Sequence, residues 1–233
     1  MNIVITGCSN GIGSELVKIL TKSHKVYGLS RNSYKLNKLK SSLNKPQNFH
    51  IYPGDVVTID TKIITEWITD SHIDLLINNA GILINKSFVN IKYSDYKSVM
   101  DVNFWGAFNV TQLLLEKLSA ARGSVINISS MGGVNFTSKY PGLSLYSSSK
   151  GALSVLTECL SEELKDNNIR VNAFALGAVQ TEMLSEAFPG YNSQTSAHQM
   201  ASFIVNFINS SNNLVNGQVF RVANSNPWAL IFQ

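Results

Sequence analysis

Tyr146 and Lys150 stand four residues apart in the run Leu145-Tyr146-Ser147-Ser148-Ser149-Lys150. If that run opens a helix, the two side chains share a face, one turn apart. An ammonium beside a phenol favours the phenolate and draws the tyrosine below its ordinary pKa of about 10. A tyrosine tuned in that way exchanges a proton near neutral pH. The plain alternative is an ordinary amphipathic helix start with a chance Tyr/Lys pair, so the surrounding chain has to decide.

The elements that would position this pair alternate regularly. Asn2-Ile3-Val4-Ile5-Thr6 reads as a short buried strand. It ends in Gly7-Cys8-Ser9-Asn10-Gly11-Ile12-Gly13, and Leu16, Val17, Ile19 and Leu20 then follow at helical spacing. Glycine serves any tight turn. Between a strand and a helix it also lets the backbone approach a pyrophosphate, whose charge is favoured at the helix N-terminus. Lys25–Ser30 reads as the second strand and is followed by Arg31. An acidic residue here would bond the ribose 2′-OH of NAD, whereas arginine accommodates the 2′-phosphate of NADP. No Asp or Glu ends the strand, so NADP(H) is favoured, with NAD(H) possible. The alternative for Arg31 is a solvated loop residue.

Beyond this unit come a helix over Tyr34–Leu43, a strand over Phe49–Tyr52 and the turn Pro53-Gly54-Asp55-Val56. Asp55 is a candidate cap for a helix over Ile59–Thr69. A strand over Ile73–Ile77 runs into Asn78-Asn79-Ala80-Gly81. A long helix from Tyr93 to Leu118 carries Asn103, a poor helix former that invites a reason, whether a kink or a satisfied buried amide. Gly123–Ile128 is a strand terminated by Ser129-Ser130, followed by an amphipathic helix over Tyr146–Leu164 and a strand over Ile169–Leu176. A helix over Ala197–Ile208 and a strand over Gly217–Val222 complete the pattern. It predicts one doubly wound α/β domain over residues 1–233, with a seven-stranded, mainly parallel sheet and helices on both faces. Ligands of such sheets bind beyond the carboxyl ends of the strands. The glycine turn, Asn79–Gly81, Ser129-Ser130 and Leu176-Gly177 all fall there.

The spacing Thr-Gly-x-x-x-Gly-x-Gly, with Asn-Asn-Ala-Gly, Asn103, Ser130 and Tyr146/Lys150 following in order, resembles the short-chain dehydrogenase/reductase family over essentially the whole chain. The resemblance implies reversible hydride transfer between NADP(H) and a carbonyl or secondary alcohol. It makes Ser130 the hydroxyl on the substrate carbonyl, with Ser129 the lesser choice, and Tyr146 the general acid/base. Lys150 would lower the tyrosine's pKa and bond the nicotinamide ribose, and Asn103 would hold a water that extends the proton path. The cofactor would be lined by Gly7, Ser9, Asn10, Gly11, Ile12, Gly13, Arg31, Asn79, Ala80 and Gly81, and by Tyr146 and Lys150 themselves. Asp55, with the Val56 backbone, would contact the adenine, and Val179 and Thr181 the carboxamide. A homodimer or homotetramer through the long central helices is implied as well.

The chain departs from the family in places. The gap from Ser130 to Tyr146 is a few residues longer, with the extra length in Asn135–Pro141 and Lys139-Tyr140 exposed near the pocket mouth. Leu176-Gly177 stands where the family has Pro-Gly, which restores an amide N–H and predicts a looser loop. Residues 178–196 read as a short mobile lid. The last strand leads into Ala223-Asn224-Ser225-Asn226-Pro227 rather than an Asp-Gly-Gly-like turn. The apolar tail Trp228–Phe232 then folds back on its own domain or meets another subunit.

Composition narrows the function classes. Of 233 residues 44% are hydrophobic and 15% charged, enough apolar material for a sizeable core. The net charge is +4, and the Lys35, Lys38 and Lys40 cluster fits a solvated helix face better than a nucleic-acid stripe. Cys8 and Cys159 match no metal-ligand spacing and read as free thiols of a reducing compartment. With no signal segment and no apolar run of the roughly 18 residues a membrane span needs, the expectation is a soluble cytoplasmic protein. A non-catalytic NADP(H)-sensing protein is the main alternative, disfavoured by the intact Asn/Ser/Tyr/Lys set. A sugar-nucleotide epimerase or dehydratase is disfavoured by the little chain left after the sixth strand. The substrate stays open among 3-oxoacyl thioesters, sugar ketones, steroid-like alcohols and small aldehydes.

Overall fold

The first strand, β1 (Asn2–Thr6), sends its side chains alternately to two cores, as a strand covered on both faces must. Ile3 and Ile5 join one apolar cluster and Val4 the other. A computed structural model of the protein describes residues 1–211 and 214–224. Along the chain β1 is followed by α1 (Gly11–Leu20), β2 (Lys25–Ser30), α2 (Ser33–Ser41), β3 (Phe49–Pro53) and α3 (Thr61–Trp67). Next come β4 (Leu75–Asn78), α4 (Tyr93–Met100), a π turn (Asp101–Trp105), α5 (Gly106–Leu113), α6 (Leu115–Ala121) and β5 (Ser124–Ser130). The chain continues through α7 (Ser144–Glu163), β6 (Arg170–Leu176), α8 (Glu182–Ala187), α9 (Ala197–Ser211) and β7 (Val219–Val222).

The seven strands lie in the order β3-β2-β1-β4-β5-β6-β7, and every pairing is parallel. The sheet is therefore wholly rather than mainly parallel, since every connection in it crosses over rather than doubling back as a hairpin. One face buries Leu16, Val17 and Leu20 of α1, Leu36 of α2 and Ile204 of α9. The other buries Ile64 of α3, Val110 of α5 and Leu118 of α6. Strand order reverses direction between β1 and β4, which opens a crevice at their carboxyl ends.

Three expectations need correcting. The predicted helix from Tyr93 to Leu118 is three helices interrupted by the π turn, in which Gly106 N reaches back to Asp101 O. Asp55 does not cap α3: its Oδ1 accepts from Val57 N at 3.0 Å, and Asp60 is the cap, accepting from Ile63 N at 2.9 Å. Leu176 is not a loose loop residue, because β6 runs through it, pairs it with Ser130 and Val222, and buries it. Lys139 and Tyr140 are exposed as expected, with the Lys139 ammonium donating to Val134 O at 2.7 Å and Thr137 Oγ1 at 2.8 Å of its own loop. The tail Trp228–Phe232 lies outside the described residues. Among the described residues no helix is long and apolar enough to cross a membrane.

Candidate active site

The glycine turn is built by close packing as much as by open backbone. Gly7 takes φ +64°, a left-handed conformation that glycine adopts without penalty. A Cβ on Gly13 would stand 2.4 Å from Gly7 O and 2.6 Å from Asn79 Nδ2, so only glycine lets α1 start this close to the turn. Asn10 caps α1, its Oδ1 accepting from Gly11 N at 2.8 Å. Asn79 ties the end of β4 to that of β1, donating through Nδ2 to Thr6 O at 3.1 Å and Gly7 O at 2.9 Å. Ala80 N joins through a 3.1 Å bond to Thr6 Oγ1. Ile12 packs against the core beneath the turn.

At the end of β2 the Ser30 and Ser9 hydroxyls are 2.8 Å apart, and Arg31 is exposed beside them. The first turns of α1 and α2 carry no acidic residue. A helix N-terminus, two hydroxyls and a guanidinium form a donor set whose chemistry fits a phosphate-bearing dinucleotide. Asp55 and Val56 follow the carboxyl end of β3, with Val56 buried against Gly106.

The proton-exchanging groups meet at the carboxyl end of β5. Ser129 and Ser130 are adjacent, and a strand alternates their directions. Ser129 is 3% exposed and bonds Lys150 O and Ser154 Oγ, both at 2.9 Å. Ser130 Oγ accepts from Gly132 N at 3.2 Å and acts on the Tyr146 phenol. Tyr146 and Lys150 lie one turn apart on α7, with Lys150 Nζ 6.0 Å from the tyrosine ring centroid.

The electrostatics reverse one expectation. Burial pushes the Tyr146 phenol up rather than down, and the Ser130 hydroxyl pulls it only partly back. Lys150 exerts little pull because its Nζ stands off the ring and donates to Ile128 O at 2.8 Å. Lys150 as a residue is 4% exposed, and burial lowers its pKa from 10.5 to about 8.

Asn103 is buried at the π turn, where the widened backbone brings its amide inward. Its Oδ1 accepts from Ile82 N at 2.8 Å, and its Nδ2 donates to Ile82 O and Ser149 Oγ, both at 2.9 Å. Gly81 separates it from the lysine: a Cβ there would lie 3.3 Å from Asn103 Oδ1 and 3.4 Å from Lys150 Nζ.

After β6 the chain crosses the glycine turn. Val179 is buried, and Thr181 caps α8 with its methyl 3.3 Å from where a Gly11 Cβ would stand. A cleft of about 450 Å³ lies between the α1 N-terminus and this segment, lined by Asn10, Gly11, Thr181 and Glu182 among others. Asn85 clasps the far end of α8, donating to Ala187 O at 2.8 Å, and Lys86 N donates to Gly142 O at 2.9 Å.

Several structural partners of the site were not singled out from sequence. Thr6, Ser149 and Asn85 position the residues above. Beneath them Asn78 Nδ2 donates to Asn127 Oδ1 at 2.9 Å, and Asn127 Nδ2 to Thr157 Oγ1 at 2.9 Å, stitching β4, β5 and α7 together. Asparagine within a buried strand is the signal that would have found this network.

Comparison with known proteins agrees with this geometry. The short chain dehydrogenase family profile matches residues 1–192. The 3-oxoacyl-[acyl-carrier-protein] reductase FabG of Thermotoga maritima is 33% identical over 186 residues, covering 77% of this chain and 74% of that protein. An uncharacterized oxidoreductase of Staphylococcus haemolyticus is 30% identical over 207 residues, covering 87% of this chain and 88% of its own. The solved structure of ElxO with NADP bound superposes with a TM-score of 0.80 at 28% identity, over 95% of this chain and 96% of that one. The chain belongs to the short-chain dehydrogenase/reductase family of NAD(P)-dependent oxidoreductases.

Proposed function

We propose that the protein reduces the carbonyl group of a small molecule with NADPH, and oxidises the corresponding secondary alcohol in reverse. The observation that carries this reading is the convergence of Ser130, Tyr146 and Lys150 at one strand end, with the Ser130 hydroxyl acting on the phenol. When bound, the nicotinamide supplies or accepts the hydride. Ser130 holds the substrate oxygen, and Tyr146 gives it a proton. Burial keeps that proton on the phenol at neutral pH, which suits a general acid. Lys150, one turn away and with its pKa lowered to about 8, passes a proton back to the phenolate left behind. Asn103, across Gly81 from the ammonium, continues the proton path from Lys150.

Arg31, at the end of a strand with no acidic residue, supports NADP(H) over NAD(H). The names of the similar proteins support a 3-oxoacyl thioester or a small ketone as substrate. Residues 178–196 act as the lid over it. Exposed Trp105, ending the π turn before α5, and Val155 on α7 support assembly of two or four copies through these helices. The test is a panel of 3-oxoacyl thioesters, sugar ketones and small aldehydes assayed with NADPH and NADH. Carbonyl-dependent NADPH consumption is expected; absence of turnover across the panel, despite NADPH binding, would contradict the reading.

A further inference from the structure

Glu182 opens α8, directly after the cap Thr181. Its Oε2 accepts from two donors on different walls of the crevice. One is the Asn10 side-chain amide of the glycine turn, and the other is Lys35 Nζ, at 2.8 Å, from the first turn of α2. Asn10 is fixed there by its own cap bond to Gly11 N, and Lys35 N is held at 2.9 Å by Asn32, the cap of α2. A single carboxylate thus ties together the segment after β6, the N-terminus of α1 and the helix that follows Arg31.

The ion pair is open to water, with side-chain exposures of 41% for Lys35 and 52% for Glu182. Pairs this exposed add little to folding stability. Its consequence is positional: it sets where α8 lies and what occupies Lys35. An ammonium and an amide N–H converging on a carboxylate oxygen are equally donors to a phosphate oxygen. Lys35 lies one helical turn beyond Arg31, and neither helix N-terminus carries an acid in its first turn. Glu182 is brought in from the opposite wall.

We propose that Glu182 is a specificity-determining residue that acts through Lys35 and Asn10. Its carboxylate competes with the 2′-phosphate of NADP(H) for the Lys35 ammonium. Seating of the phosphate therefore requires α8 to release Lys35, and lid position becomes coupled to which nicotinamide dinucleotide is bound. NAD(H), lacking that phosphate, leaves the Glu182–Lys35 pair intact. This inference rests on the NADP(H) reading of the crevice.

The test is a double-mutant cycle of Glu182→Gln and Lys35→Met, with dissociation constants for NADPH and NADH measured by fluorescence titration and folding checked by circular dichroism. Glu182→Gln is expected to tighten NADPH several-fold and to leave NADH nearly unchanged. Lys35→Met is expected to weaken NADPH about tenfold, and in its presence Glu182→Gln should gain nothing. NADPH affinity unaltered by Glu182→Gln, an equal gain for NADH, or a gain that survives Lys35→Met would each overturn the proposal while leaving the cofactor reading standing. A wild-type protein that binds neither dinucleotide would overturn that reading, and the proposal with it.

Discussion

Ser129 and Ser130 are neighbours in sequence with separate partners: Ser129 is locked into the β5–α7 interface by Lys150 O and Ser154, while Ser130 meets the Tyr146 phenol. The two alanine variants should therefore separate stability from turnover. Ser129→Ala removes a buried, fully bonded hydroxyl and should cost about 1–2 kcal/mol while keeping turnover within a few-fold. Ser130→Ala should lower turnover about 10²-fold with little change in stability. Thermal melts and steady-state kinetics on both variants check this, and reversed effects would assign the substrate hydroxyl to Ser129.

Lys150 carries a buried charge whose pKa falls from 10.5 to about 8. At about 1.4 kcal/mol per pKa, that is about 3 kcal/mol of cost below pH 8. The unfolded chain binds the extra proton between pH 8 and 10.5, so this residue makes stability rise with pH over that window. Cys8, whose buried thiol is pushed up from 9.0 to about 12, opposes the rise above pH 9. Lys150→Met should thus melt a few degrees above wild type at pH 7, lose most turnover, and flatten the stability slope between pH 8 and 9. A lower melting temperature at pH 7 would show that the bond to Ile128 O outweighs the buried charge.

The same proton is expected in the kinetics. Carbonyl reduction should be level near neutral pH and decline above pH 8 as Lys150 loses its charge. Lys150→Arg, whose guanidinium stays protonated, should remove that limb from whatever turnover it retains. A pH profile of kcat/KM for both proteins is the check, and an unchanged limb in the variant would assign it to another group.

How much of this was legible in the sequence depends on the range of the interaction. The glycine turn, the Tyr146/Lys150 spacing and the strand–helix alternation are local signals, and the structure places them as read. Choosing between Ser129 and Ser130 needed the register of β5 against α7. The π turn at Asn103 was hidden because helical periodicity does not reveal one extra residue in a turn. Asp60 rather than Asp55 caps α3 because the helix starts later than its apolar pattern suggested. The Tyr146 pKa was misjudged because the Lys150 charge is visible in sequence and burial is not. The Asn78–Asn127–Thr157 chain joins segments far apart in sequence, and pairing of that kind exists only once the sheet has formed.

Gly13 tests whether close packing or helix propensity governs the glycine turn. Alanine is favoured over glycine by up to about 1 kcal/mol inside a helix. Here its Cβ would meet Gly7 O at 2.4 Å and Asn79 Nδ2 at 2.6 Å, both fixed by other bonds. The clash should win, destabilising by about 1–3 kcal/mol and weakening nicotinamide dinucleotide binding at least tenfold. Titration and thermal melting of Gly13→Ala decide it, and a variant more stable than wild type would mean that α1 shifts freely.

The central claim is that Tyr146 delivers the proton while other groups hold the cofactor, and replacing the phenol by Phe tests it most directly. Tyr146→Phe should bind NADPH within a few-fold of wild type and turn over a carbonyl substrate about 10²–10⁴-fold more slowly. Full turnover with intact binding would contradict the account.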